Sequence, residues 1–251
     1  MTTAAERPAA AERPAAAERP AAAERLIAAE MPEIWEVALP GQPDIPQALR
    51  YLGVPDAGDA ALHALLQRAE QTLRGAARPR AVSLRAGREG LAGCLQGGDI
   101  ARHLEGCDTC VLLACTLGAG VDAAQRAANA ADMAYAVVLD ALASVLAEQI
   151  ADAAENTLRE QAQAEGLFLT GRFSPGYGDY PIELQNELLR LVDAPRKIGL
   201  CATPTHLLTP RKSITAVLGL AGHPVTGKRA GCAHCALRER CAYRKEGKTC
   251  E

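Results

Sequence analysis

The segment RFSPGYGDYP, from Arg172 to Pro181, combines residue types that could hold a small ligand. Gly176 and Gly178 flank Tyr177, so the backbone can adopt a positive φ and approach a ligand closely. Arg172 supplies a planar pair of donors for a carboxylate. Together these residues predict a binding site for a small zwitterion. A structural turn whose arginine is only a surface charge has the same pattern, and the spacing leaves both interpretations open.

Glu148 is a second candidate, because it stands among apolar residues in the middle of a predicted helix. Asp152 and Glu155 share its helical face at i+4 and i+7. A solvated acidic face explains the same pattern on composition alone. If Glu148 instead faces the glycine-rich loop, it could pair with a ligand ammonium group while Arg172 binds the carboxylate.

A cluster of cysteines near the end of the chain indicates metal chemistry: Cys232, Cys235, Cys241 and Cys250. Four thiolates are enough for a closed zinc site or for a cubane iron–sulfur cluster, and free or redox-active thiols are the third interpretation. Nearby basic residues could stabilise an anionic cluster. Cys107 and Cys110 form another Cys-x-x-Cys pair at a predicted strand edge, which is more often structural.

Two glycine motifs resemble nucleotide-binding loops but lack essential residues. Gly222 to Lys228 matches most of a phosphate-binding loop, yet Arg229 stands where serine or threonine must ligate magnesium. Gly118 and Gly120 follow a predicted strand, but Ala123 replaces the third glycine of a dinucleotide turn. We therefore expect an ordinary strand-to-helix turn at Gly118.

Composition excludes some classes of partner. The 251 residues carry a net charge of −3 and few aromatic side chains, which argues against nucleic acid. The best apolar run, residues 110–121, is too short to span a membrane. Nine cysteines without a secretion signal indicate a reducing, cytoplasmic location.

The chain divides into three regions by composition. Residues 1–25 repeat an Ala/Glu/Arg/Pro hexamer and predict a disordered tail. Residues 26–221 have the apolar patterning of a folded domain, and residues 222–251 form a cysteine-rich extension whose composition predicts metal binding.

Hydrophobic periodicity predicts an α+β fold for the middle region. We expect a short helix at 47–53 and a longer one at 60–77 capped by Asp59. A helical stretch from 121 to 165 should break near 129–132. Pro181 should open a helix over 182–192. Strands are expected at 81–85, 110–116, 198–203 and 213–220.

The loop and its surroundings resemble the activation domain of cobalamin-dependent methionine synthase, in its stand-alone form. RFSPGYGDYP is similar to that family's Arg-x-x-x-Gly-Tyr-x-x-x-Pro signature. Residues 141–155 resemble the helix before the signature, and residues 209–220 resemble the segment after it. QALRYLG and VLLACTLGAGVD resemble the N-terminal part of the stand-alone members, so the resemblance covers about residues 33–221.

This resemblance implies an antiparallel sheet with packed helices that binds S-adenosylmethionine. Arg172 is then expected to bind the methionine carboxylate, and Glu148 the amino group. Ser174 and Gly176 would give backbone contacts to the nucleoside. Tyr177 would lie near the sulfonium and the corrinoid, as the candidate catalytic residue.

The implied reaction is reductive methylation of cob(II)alamin to methylcobalamin, with the cobalamin carried by a methionine synthase or another corrinoid protein. Flavodoxin or ferredoxin would supply the electron. The alternative is a non-catalytic corrinoid-protein adaptor or metal-binding scaffold that has lost S-adenosylmethionine binding. A third hypothesis is a methyltransferase that acts on a small acceptor without any corrinoid.

Overall fold

A computed structural model describes residues 31–55 and 59–225 of the chain. The strands are β1 Glu33–Glu36, β2 Arg80–Gly87, β3 Thr109–Thr116, β4 Phe168–Leu169, β5 Cys201–Ala202, β6 Leu208–Thr209 and β7 Ser213–Ala221. The helices are α1 Ile45–Leu52, α2 Ala60–Ala76, α3 Gly98–His103, α4 Ala119–Ala131, α5 Met133–Ala164, α6 Leu184–Leu191 and α7 Ala194–Lys197.

Five strands form the main sheet in the order β1-β2-β3-β7-β4, with every neighbouring pair antiparallel. Strand β3 lies at its centre, pairing Leu112 with Leu84 on one side and with Val217 on the other. Strands β5 and β6 form a separate antiparallel pair. The α+β class and the antiparallel sheet with packed helices, both expected from the sequence, are confirmed.

The sheet separates two hydrophobic cores because successive side chains of a strand point to opposite faces. On β3, Val111, Leu113 and Cys115 enter the core on the face covered by α1, α2, α4 and α5. Leu112 and Ala114 enter the other core, with residues of α3, α6 and α7. Between its terminal threonines strand β3 is therefore apolar, as expected for a strand covered on both faces.

Helix α5 is the longest element and is mostly buried. It begins at the cap Asp132, whose Oδ1 accepts a hydrogen bond from the Tyr135 N–H (3.1 Å). By length and composition it could cross a membrane, but most of its apolar window is buried within the domain, as expected for a core helix. Its buried small residues Ala143, Ala147 and Ala151 allow neighbouring elements to approach closely.

Several local predictions are confirmed. Asp59 caps α2 through Ala61 N (2.9 Å), and Gly53 ends α1 in the left-handed conformation. The long helical stretch breaks at Asp132. Gly118 begins α4 in a strand-to-helix turn, and Gly120 there lies against the carbonyl of Ala76, where a side chain would collide.

Two element boundaries were predicted wrongly. Residues Pro181 to Glu183 form a turn, because Leu184 N–H bonds to Pro181 O (3.2 Å) in the tighter i→i−3 pattern, and α6 starts only at Leu184. The strand expected at 198–203 exists only as β5. Its first residues instead close α7, with Ile198 N–H bonded to Ala194 O (2.9 Å).

The predictions for the repeat tail, residues 1–25, and for the four cysteines of the extension, Cys232, Cys235, Cys241 and Cys250, fall outside the described residues. They remain predictions.

Candidate functional site

Arg172 projects from the edge of the sheet toward α5. Arg172 precedes Phe173, which pairs with Val217 of β7 through an isolated β-bridge. This bridge extends the edge of the sheet beyond β4. The guanidinium Nη2 donates to Asp152 Oδ1 (2.8 Å) and lies 3.5 Å from Glu148 Oε2. Its Nη1 lies 3.2 Å from Glu155 Oε2. The i, i+4, i+7 spacing on α5 thus brings three carboxylates to one arginine.

A second arginine, Arg159, holds Glu155 and the segment before Arg172 in place. Arg159 donates through Nη2 to Glu155 Oε1 (2.6 Å) and to the carbonyl of Thr170 (3.0 Å), and through Nη1 to the carbonyl of Leu169 (2.6 Å). These bonds tie the edge segment to α5 directly before Arg172. We call Glu148, Asp152, Glu155, Arg159 and Arg172 the arginine–carboxylate cluster.

The cluster is acidic overall. Three carboxylates and two guanidinium groups leave one net negative charge. Burial raises the pKa of Glu148, an effect that Arg172 opposes and Asp152 strengthens. Burial alone would lower the pKa of Arg172, but the hydrogen bond that it donates to Asp152 and the charges of the surrounding carboxylates raise it. Arg172 therefore stays charged, while Glu148 takes up a proton more readily than an ordinary glutamate.

One hydrogen-bonding group in the cluster is unsatisfied. Nη1 of Arg172 is buried, and its contact with Glu155 lacks hydrogen-bond geometry, so this nitrogen has no hydrogen-bond partner among the described residues. A buried polar group without a partner is unusual in folded proteins. The side chain of Arg172 is only 16% exposed, whereas that of Asp152 is 65% exposed.

The sequence prediction assigned the carboxylate of one ligand to Arg172 and the ammonium group of the same ligand to Glu148. The structure brings them together as expected, but in direct contact. A ligand carboxylate that binds Arg172 must therefore displace Asp152, the most exposed of the three partners.

Tyr177 stands at the tip of the glycine-rich loop and is 59% exposed. Its neighbours Gly176 and Gly178 have positive φ angles of 92° and 55°, as their flanking positions predicted. The loop closes through Tyr177 N–H to Ser174 O (3.2 Å) and Gly176 N–H to Tyr180 O (2.8 Å). The Ser174 carbonyl and the Gly176 amide are therefore already used inside the loop.

The loop is anchored on the face of the sheet opposite α5. Tyr180 is buried in the second core, and its hydroxyl donates to the Cys94 carbonyl (2.8 Å). Asp179 accepts from Gly98 N (2.7 Å) and Asp99 N (2.8 Å) at the start of α3. The candidate site consequently spans the sheet edge, with the cluster on one face and the base of the Tyr177 loop on the other.

Sequence reasoning assigned no role to Asp179. A carboxylate within a loop has no local signal that identifies its partner 80 residues away. The pair Gly97 and Gly98 at the start of α3 was the only available indication, because a helix start offers free backbone N–H groups.

A concave surface of about 530 Å³ lies further along α5. We call it the α1–α5 groove. It is lined by Tyr51, Leu52, Gln125, Asn129, Met133, Ala136, Val137, Asp140, Ala141, Ser144 and Arg211. Ser144 stands one helical turn before Glu148. Lys212 donates to the Ser144 hydroxyl (2.7 Å) and forms an ion pair with Asp140 (2.9 Å).

No family model matches this chain, and no curated protein matches it. It is similar to a solved structure described as the MetH reactivation domain bound to AdoHcy. That likeness has a TM-score of 0.55 at 15% identity and covers 86% of each chain. At this identity the likeness establishes the fold alone.

The cysteines of the folded region do not form a metal site. Within residues 31–55 and 59–225, no group of three His, Cys, Asp or Glu side chains is arranged to hold a metal ion. Cys94 and Cys110 are buried, and burial raises the pKa of Cys94 to about 11 and that of Cys110 to about 12. Thiols of this kind are poor ligands and poor nucleophiles.

Proposed function

We propose that this protein binds S-adenosylmethionine as a reactivation-type module. The observation that supports this most directly is the arginine–carboxylate cluster, where Arg172 keeps a buried N–H without a hydrogen-bond partner beside a surplus of carboxylate. The likeness to the MetH reactivation domain supports the same assignment at the level of the fold.

The charge of the cluster matches the ligand. S-adenosylmethionine carries a sulfonium, an ammonium and a carboxylate, which sum to one positive charge, whereas S-adenosylhomocysteine is a neutral zwitterion. A site with one net negative charge attracts the first more strongly than the second. The ammonium would pair with Glu148, and the carboxylate would replace Asp152 on Arg172. Coulombic attraction at this partly buried edge is stronger than in bulk water.

Tyr177 would contact the sulfonium end of the ligand. Its exposure leaves the ring available to a second surface, and the anchored loop holds it at the sheet edge. Backbone contacts to the nucleoside would come from Ser174 and Gly176. Since the Ser174 carbonyl and the Gly176 amide are already bonded within the loop, we expect these contacts to use the N–H of Ser174 and the carbonyl of Gly176.

The reaction we propose is reductive methylation of a corrinoid, from cob(II)alamin to methylcobalamin, on a partner methionine synthase or corrinoid protein. The corrinoid supplies, when reduced by one electron, the nucleophile that takes the sulfonium methyl and leaves S-adenosylhomocysteine. The residues of this chain contribute positioning and exclusion of water. Flavodoxin or ferredoxin would provide the electron, in the cytoplasm.

The cysteine-rich extension would add a metal centre to this system. We propose that Cys232, Cys235, Cys241 and Cys250 bind an iron–sulfur cluster or zinc. Anaerobic purification of the full chain distinguishes the two, because an iron–sulfur protein is brown and absorbs near 400 nm, about the wavelength expected of thiolate-bound iron. A colourless protein with one equivalent of zinc supports zinc, and a metal-free protein rejects the proposal.

Calorimetric titration of the full chain with S-adenosylmethionine and S-adenosylhomocysteine tests the binding function. We expect saturable binding of both, with S-adenosylmethionine bound more tightly, and a loss of about tenfold or more in Glu148→Gln, the size expected for one charged contact. Glu187→Gln is the matched control, because Glu187 pairs with Arg190 on α6, away from the cluster. Absence of saturable S-adenosylmethionine binding by the folded protein would leave the non-catalytic adaptor as the better hypothesis.

A further inference from the structure

The α1–α5 groove has the size and location of a ligand site. Its volume of about 530 Å³ lies within the range of about 300–1,000 Å³ typical of small-molecule sites. None of Arg172, Glu148, Asp152 and Tyr177 lines it. An occupant of the groove would therefore be distinct from the ligand proposed above.

The walls of the groove expose a concentration of large apolar side chains. Tyr51 at the end of α1, together with Met133 and Val137 on the first turns of α5, are all more than half exposed. Scattered apolar residues on a surface are ordinary, but three in one concavity indicate a binding surface. An aromatic ring, a thioether and a branched aliphatic chain suit a flat apolar body.

The charged side chains that line the groove are Asp140 and Arg211. Asp140 is neutralised by Lys212 at 2.9 Å, so the remaining charged lining residue is Arg211. The backbone N–H of Arg211 is fixed by both carboxylate oxygens of Asp122 (3.0 and 3.2 Å). Its guanidinium forms no hydrogen bond or ion pair with the described residues. A residue held by its backbone with a free guanidinium group is suited to bind an anion.

A polar group of the groove also lacks a partner. The Gln125 carboxamide nitrogen donates to Asn129 Oδ1 (3.1 Å) and to the Ala136 carbonyl (2.9 Å). Its oxygen is buried and, among residues 31–55 and 59–225, has no hydrogen-bond donor. Leaving such a buried acceptor unsatisfied is unfavourable. A ligand N–H that reached it after a small side-chain rotation would recover part of that cost.

We propose that the α1–α5 groove binds a small organic anion with a flat heteroaromatic ring. The anionic group pairs with Arg211, and the ring lies on Tyr51 and Met133. Where the ring carries an amino group, as adenine does, that N–H donates to Gln125. Nucleoside monophosphates and heteroaromatic carboxylates share this chemistry.

Titration of the full chain with AMP, nicotinate and inorganic phosphate distinguishes these two classes of ligand from a simple anion. We expect saturable binding of AMP or nicotinate and at least tenfold weaker binding of phosphate, which has no ring. Arg211→Ala should weaken binding at least tenfold, while Arg211→Lys should retain most of it. Tyr51→Ala should also weaken binding. Arg196→Ala on α7 is the matched control, because Arg196 is highly exposed and remote from the groove lining.

Three results would overturn the proposal. The first is an absence of saturable AMP and nicotinate binding by protein with an unchanged thermal melting curve. The second is phosphate binding as tight as that of either ring compound, or unchanged binding in folded Arg211→Ala. The third is competitive displacement of AMP by S-adenosylmethionine, which would mean that the groove belongs to the proposed S-adenosylmethionine site. A failure of S-adenosylmethionine binding alone leaves this proposal unaffected.

Discussion

Asp179 and Asp99 hold each other's backbone across 80 residues of sequence. The Asp179 carboxylate accepts hydrogen bonds from the Gly98 and Asp99 N–H groups (2.7 and 2.8 Å), and the Asp99 carboxylate accepts one from the Asp179 N–H (3.1 Å). The exchange resembles a capping box formed between distant segments. It fixes the position of Tyr177, two residues before Asp179.

Replacing Asp179 should loosen the Tyr177 loop. Asp179→Ala leaves two N–H groups at the start of α3 without acceptors, at a cost of about 1–2 kcal/mol in the free energy of unfolding. We expect faster amide hydrogen exchange over residues 176–180, measured by mass spectrometry. Glu183→Ala is the matched control, since the Glu183 side chain makes no capping bond. Equal exchange in the two variants would refute the positioning role.

Two glycines with positive φ should respond differently to alanine. At Gly53 (φ 71°) a Cβ would meet nothing within 4 Å, so Gly53→Ala should cost only the left-handed backbone strain, about 1–2 kcal/mol. At Gly178 (φ 55°) the same Cβ would collide with the Asp99 carboxylate. Urea unfolding should therefore show a larger loss for Gly178→Ala. A loss no greater than that of Gly53→Ala would mean that the loop contact with α3 is absent in solution.

Local features of this fold could be predicted from the sequence because their causes are short-range. The cap at Asp59 acts on an N–H group two residues away, and the apolar run of β3 indicates a buried strand. The proximity of Arg172 and Glu148 was expected from the family resemblance, because spacing alone left both residues open to other interpretations.

Features that depend on tertiary contacts could not be predicted. The partner of Asp179 lies in a distant segment, and nothing near Arg211 indicates that its guanidinium lacks a partner. The direct contact of Arg172 with Asp152 was also not predicted, because helix periodicity gives the face of a side chain and not its distance from another element. Such contacts follow from the order of the strands, which the sequence pattern does not specify.

S-adenosylmethionine binding should weaken as the pH falls. Burial raises the pKa of Glu148 above its ordinary value, so this carboxylate is protonated earlier on acidification and can no longer pair with the ligand ammonium. Dissociation constants measured by calorimetry from about pH 7.5 to 5 should rise for the wild type. Glu148→Gln should bind weakly with a much flatter pH profile. An identical pH profile in both proteins would exclude Glu148 from the ligand contact.

The stability of the domain should fall on acidification through His103. Burial lowers the pKa of this histidine, although its hydrogen bond to the Gly171 carbonyl and the charge of Glu155 oppose the shift. The unfolded chain then binds the proton more readily, so the stabilisation is complete above about pH 6.5 and is lost as the pH falls below it. Urea unfolding at several pH values should show a smaller slope for His103→Gln. His63→Gln, at an exposed histidine, should retain the wild-type slope.

The buried thiols should resist alkylation until the domain unfolds. Burial raises the pKa of Cys94 to about 11 and those of Cys110 and Cys115 to about 12, so almost no thiolate is present at neutral pH and no reagent can reach it. Cys201 is exposed on β5 and serves as the internal control. In iodoacetamide labelling read by peptide mass spectrometry, Cys201 should react within the time that the other three remain unmodified. In denaturing urea all four should react at similar rates. Rapid labelling of Cys110 in the folded protein would show that the core around β3 opens far more readily than its packing between two helical layers allows.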